Sequence, residues 1–206
     1  MTTSHLGSAI PDLRAGVFRP LAAALALVAA AGCATVGSAP EPTASAAVGR
    51  PTAPSLGWFS RIKAPADREP VLQLSARGVQ VFRCERRDGA LLWVFRQPDA
   101  ELLGDRGAVV GRHGANFSFE YMDGSRLTAN IAAYDEAPRS TDLRWLLLTT
   151  RSYGKGMFDG VTHVQRVNTS GGTPPERCDS AQLNQVLRVN FTADFIFYRP
   201  KSSASG

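Results

Sequence analysis

Gly107-Ala-Val-Val-Gly-Arg-His-Gly-Ala-Asn-Phe-Ser-Phe-Glu-Tyr-Met-Asp-Gly-Ser-Arg-Leu127 is the stretch on which the fold reading turns. Gly107, Gly111 and Gly114 punctuate a loop carrying Arg112 and His113, after which Phe117, Phe119 and Tyr121 alternate with other residues. Asp123-Gly124 separates that run from a second, in which Leu127, Ala129 and Ile131 alternate with Arg126, Thr128 and Asn130. Alternation puts successive side chains on opposite faces of a strand, and Asp-Gly between two such runs signals a hairpin, because both central residues of a type I′ turn need positive φ. The stretch predicts a glycine-rich loop feeding a β-hairpin.

Working outward, the same pattern recurs. Val71–Leu74 is a short candidate strand; Val79–Arg83 and Ala90–Phe95 flank a second Asp-Gly turn, Asp88-Gly89. Pro98 to Leu103, opened by a proline, is the one helix-like turn. Leu143–Thr150 is apolar on both parities, as a strand covered on both faces should be. In the strand Val161–Asn168, Thr162, Val164 and Arg166 share one face, and His163 and Gln165 the other; parity leaves open which face is inward. Leu187 to Phe197 is the longest clean alternation. About eight strands with almost no helical period predict an all-β fold, an antiparallel sandwich or a small barrel.

The 206 residues suffice for one domain with accessory segments, and 44% hydrophobic residues supply a core. The net charge of +5 comes from scattered single arginines, so no nucleic-acid partner is expected. Arg14 and Arg19 precede the apolar run Leu21–Ala31, which ends at Ala30-Ala31-Gly32-Cys33. That is a secretory signal, too short to span a bilayer, and it resembles the lipobox of bacterial lipoproteins. The expected organisation is a signal peptide 1–32, a lipidated Cys33 opening a Pro/Ala/Ser-rich flexible linker 33–57, a β-domain 58–199 and a disordered tail 200–206. The other reading is a plain signal peptide cleaved nearby. On the lipoprotein reading the protein is secreted across the inner membrane and held by its lipid in the cell envelope, on the outer membrane facing the periplasm. That reading also leaves Cys84 and Cys178 as a pair closing a loop of 178 − 84 = 94 residues. Closing such a loop stabilises by about 4 to 5 kcal/mol in the chain-entropy model.

Standard chemical motifs are absent. Gly154-Lys155-Gly156 lacks the flanking residues of a phosphate loop, and His113 and His163 have no ligand-like spacing, so neither cofactor nor metal is expected. His113 is the best candidate for acid/base work, with Asp123 or Arg166 as partners, although Asp123 also suits a tight turn. His113, Arg112, Asn116 and Phe117 are the candidate binding residues, since glycines let backbone approach a ligand beside an apolar wall. His113 is taken as a loop imidazole whose removal opens no cavity. The expected function is binding of a small molecule or an envelope partner; the alternatives are a secreted hydrolase or isomerase using His113, and a purely structural envelope protein.

Several blocks together resemble domain-of-unknown-function family 3455, found in secreted bacterial and fungal proteins. They are Leu74-Ser-Ala-Arg-Gly-Val-Gln-Val-Phe-Arg-Cys84, Trp93-Val-Phe95, Pro98-Asp-Ala-Glu-Leu102, Gly111-Arg-His113, Asp123-Gly-Ser125, Trp145-Leu-Leu-Leu148, Gln165-Arg-Val-Asn-Thr-Ser-Gly-Gly172 and Cys178-Asp179. The resemblance implies a secreted domain with two cysteines and no established activity. This chain departs from the family after His113, where Gly114-Ala115-Asn116-Phe117 replaces a Gly-Pro-Thr-Trp-like segment. If that tryptophan lines a pocket, the pocket here has a different shape. Some fungal members are called malate dehydrogenase, but the strand–Gly-x-Gly-x-x-Gly–helix unit that holds a dinucleotide is missing.

Overall fold

The computed structural model describes residues 51–202; the signal-like segment 1–32, Cys33 with residues 34–50 of the expected linker, and residues 203–206 lie outside the described residues. Eight antiparallel strands close into one barrel: β1 (Arg68–Arg87), β2 (Ala90–Leu103), β3 (Val109–Gly114), β4 (Ser118–Tyr121), β5 (Arg126–Asp135), β6 (Trp145–Tyr153), β7 (His163–Gly171) and β8 (Val186–Pro200). Each pairs with its chain neighbours, and β8 pairs with β1 from Arg68↔Pro200 to Arg83↔Val186. Closure leaves the sheet without edges, and of the two all-β architectures expected, the chain adopts the barrel. Cys84, near the end of β1, is disulfide-bonded to Cys178 in the β7–β8 connection, 94 residues on.

Strand alternation fills the barrel. Leu72, Leu74 and Ala76 of β1 join Phe119 of β4, Leu127 of β5, Leu146 and Leu148 of β6, Val164 of β7 and Phe191, Phe195 and Phe197 of β8 in one buried cluster. A second cluster lies on the opposite parity, where Ile62 covers Leu147, Val167, Ile196 and Tyr198. Gln165 Nε2 donates to the Ile62 carbonyl at 2.6 Å, and the Tyr198 hydroxyl donates to Gln165 Oε1. The segment before β1 thus covers the outer face of β6–β8, which is why β6 is apolar on both parities.

Four local expectations are corrected. Pro98 to Leu103 is the second half of β2, not a helix-like turn. β3 pairs with β2 only over Ala100–Leu103, so Pro98 has β1 alone beside it, and a missing N–H is tolerated where one side of a strand is unpaired. Val71–Leu74 and Val79–Arg83 are parts of one 20-residue strand. Gly78 between them is no break: a Cβ there would fall 2.3 Å from the Asp99 carbonyl, so glycine lets β1 and β2 approach. For the same reason Gly111 sits inside β3, where a Cβ would meet the Glu120 carbonyl at 2.3 Å. The stretch read as a loop is therefore largely strand. Lastly, Asp88 and Gly89 both have positive φ, 48° and 83°, as a type I′ turn requires, whereas at Asp123-Gly124 only the glycine does, 85°.

The carboxylate of Asp123 accounts for that difference by reaching across to the β6–β7 connection. Its oxygens accept from the Ser125 N–H at 2.9 Å, the Ser125 hydroxyl at 2.6 Å and the Met157 N–H at 2.6 Å. Ser125 Oγ in turn accepts the Phe158 N–H at 3.1 Å. This clamp seats Phe158 in the core, stacked on Phe197 with ring centres 4.9 Å apart and edge-on to Tyr121 at 5.5 Å. One end of the barrel is thereby plugged.

Candidate functional site

The other end is open. The β3–β4 hairpin is short, meeting β2 no higher than Ala100 and β5 only at Phe119↔Leu127 and Glu120↔Arg126, whereas β1–β2 runs on to Ala90 and β5–β6 to Asp135. Above the hairpin a cavity of about 520 Å³ opens, within the range of small-molecule sites. Phe82, Phe95, Phe117, Ile131, Leu143 and Leu146 form its apolar wall. Phe117 belongs to the turn Ala115–Phe117 that tops the short hairpin, and its ring lies 6.0 Å from that of Phe95.

Two buried polar side chains line this wall. Arg166 is on the inward parity of β7 and only 7% exposed. Its Nε and Nη2 donate to the Arg144 carbonyl at 3.3 and 2.9 Å, and among the described residues no carboxylate forms an ion pair with it. Burial pushes the guanidinium down to about 10, the direction expected of a cation deprived of water and counter-charge. Gln80, on the inward parity of β1, is 3% exposed, and among the described residues its buried Nε2 has no hydrogen-bond partner. The two carboxylates on the cavity are occupied elsewhere. Glu136 pairs with Arg144 at 3.1 Å; Asp142 takes Arg139 at 2.8 Å and the Gly171 N–H at 2.8 Å, contacts that hold its carboxyl below the usual range.

His113 is not a loop residue. It lies in β3 opposite Ala100 and Phe119, 1% exposed, stacked on Phe119 at 4.2 Å and edge-on to Phe195 at 5.1 Å. Nδ1 is 2.9 Å from the Ser118 carbonyl, so Nδ1 carries the proton and donates. Burial lowers its pKa to about 3; the Ser118 hydrogen bond opposes the shift and the nearby charge of Arg166 adds to it. His113 is a neutral packing group at physiological pH, beside the cavity-lining Phe117 at 6.3 Å.

The remaining sequence candidates are spread apart. Asp123 serves the clamp on the plugged end, without a hydrogen bond to His113. Arg112 is exposed, level with Glu101 and Glu120 in the sheet, and Asn116 is exposed at the hairpin top with φ 57°. His163 is half-buried, with Nδ1 3.0 Å from the Thr162 hydroxyl. Phe117 and Arg166 are the two candidates that line the cavity. Sequence reasoning missed Gln80 and Phe82, although the inward parity of Leu72, Leu74 and Ala76 continues through Gly78 to both. Phe117, which stands where the resemblance leads one to expect a tryptophan, lies on the cavity wall.

Among the curated proteins and the solved structures, none matches this chain at a significant level. The family described as protein of unknown function (DUF3455) matches residues 65–199, from the approach to β1 almost to the end of β8, and the chain belongs to that family.

Proposed function

We propose that this is a binding protein of the cell envelope, held by a lipid on Cys33, whose barrel takes up a small molecule at its open end. The observation that carries the binding reading is the cavity of about 520 Å³ walled by Phe82, Phe95, Phe117, Ile131, Leu143 and Leu146 with two buried polar groups, Arg166 and Gln80, set into it. A largely apolar concavity with a few placed polar groups is the usual construction of a ligand site. His113 supports a binder over an acid/base enzyme, since a sealed imidazole with its pKa near 3 offers no proton exchange at neutral pH.

The neutral fluorophore N-phenyl-1-naphthylamine tests the binding reading. Its emission should rise saturably with the full-length protein. Ile131→Trp, at a half-exposed wall position, should weaken that binding by about tenfold while leaving thermal stability nearly unchanged. Equal binding by wild type and Ile131→Trp would place the fluorophore elsewhere and end the proposal.

The anchor reading is supported by the Leu21–Ala31 run before Ala30-Ala31-Gly32-Cys33. Globomycin, which blocks lipoprotein signal peptidase, should make the unprocessed form accumulate. Undisturbed processing, or a Cys33→Ala protein that still partitions with membranes, would refute it.

A further inference from the structure

We infer that the ligand of this cavity is a carboxylic acid with an apolar body, its carboxylate bound to Arg166 and a second acceptor bound to Gln80; this rests on the binding reading above. A buried guanidinium without a counter-charge is costly, because it has given up its hydration, and an anion at hydrogen-bond distance restores most of what is lost. Arg166 has five N–H donors. Two are used on the Arg144 carbonyl. The remaining 5 − 2 = 3 are without a carboxylate partner among the described residues, and the side chain lines the cavity. A neutral acceptor would hydrogen-bond to those donors without supplying the missing counter-charge.

The nearby charges narrow the class. Arg144 and Arg139 are neutralised by Glu136 and Asp142, so the cavity holds one uncompensated positive charge. One planar guanidinium fork matches one planar carboxylate. A phosphate dianion would call for a second free cation, and among the described lining residues the other arginine, Arg144, is already paired with Glu136. The amide Nε2 of Gln80, buried on the same cavity with no partner among the described residues, is the second independent sign that a polar ligand belongs there. An unsatisfied buried donor is costly, and an acceptor oxygen on the ligand removes that cost. The aromatic rings of Phe82, Phe95 and Phe117 suit an aromatic or aliphatic body.

The test uses the full-length protein and displacement of N-phenyl-1-naphthylamine at pH 7. The competitors are phenylalkanoic and medium-chain alkanoic acids, some bearing a keto group, each compared with its own primary amide. Acids should displace the fluorophore at about tenfold or more lower concentration than their amides, the size of one charge-assisted pair. Arg166→Met should abolish that preference, each acid being compared with its own amide on the same variant. Gln80→Leu should weaken the keto acids by a few-fold more than it weakens the plain acids; if Arg166→Met does not fold, Arg166→Lys should still cut the preference by a few-fold, because it keeps charge and loses the fork. Amides that compete as well as acids, or a preference that survives at Arg166, overturn the ligand class and leave the cavity reading intact. Absence of binding by fluorophore, acids and amides alike, checked by calorimetry, removes the cavity reading and this inference with it.

Discussion

At the plugged end of the barrel Phe119, Phe158 and Phe197 pack ring against ring, and the Asp123–Ser125 clamp holds the β6–β7 connection across them. At the open end Phe82, Phe95 and Phe117 face a cavity shared with Arg166 and Gln80. Both ends are built by the same alternating strands, with similar aromatic content. The difference lies in what crosses the opening and in which inward positions are polar. A barrel interior of this size can be filled by its own side chains. Leaving one end unfilled, with a charge inside, gives up stability there, a pattern shared with sites shaped for function.

The comparison can be broken first at the disulfide, which ties β1 at the open end to the β7–β8 connection. The double variant Cys84→Ala/Cys178→Ala should lose about 4 to 5 kcal/mol in urea denaturation, the chain-entropy value for its loop. A loss below about 1 kcal/mol would mean that other contacts already hold that end. Next, Phe119→Ala at the plugged end should cost about 3 to 5 kcal/mol, because a fully buried ring leaves a cavity that close packing cannot collapse.

A smaller effect should follow pH. The folded-state pKa of His113 is about 3, below the unfolded value of about 6.5, so its neutral form is the one the fold accepts. The associated stability is complete above about pH 6.5 and is lost as pH falls from there toward 3, amounting to about 2 kcal/mol between pH 7 and pH 5. His113→Leu should flatten the profile in that window, where most carboxylates are still ionised. An unchanged slope would show that the imidazole becomes protonated without leaving its site. Smallest of all, Phe95→Ala should cost only about 1 kcal/mol, since Phe95 is 38% exposed and borders space that is already open. A cost equal to that of Phe119→Ala would erase the distinction between the two ends.

The sequence by itself determined the all-β class, the hairpin at Asp88-Gly89, the Cys84–Cys178 pair and the strands from Leu127 onward, because a period of two and an Asp-Gly turn are local properties of the chain. It could not choose the inward face of β7. Thr162, Val164 and Arg166 oppose His163 and Gln165 whichever way the strand turns, and the choice came from Ile62 covering Gln165 on the outside while Val164 entered the core. The gap between Val71–Leu74 and Val79–Arg83, the loop at Gly111 and the turn at Pro98 were expected because the reasons for Gly78, Gly111 and Pro98 lie in neighbours distant in sequence: the carbonyls of Asp99 and Glu120, and the end of β3. His113 read as a loop group for the same reason, its Phe119 and Phe195 partners being supplied by other strands. The cavity was decided by tertiary structure alone, because it exists only where the β3–β4 hairpin stops short and a closed sheet brings Gln80 of β1 and Arg166 of β7 to one space.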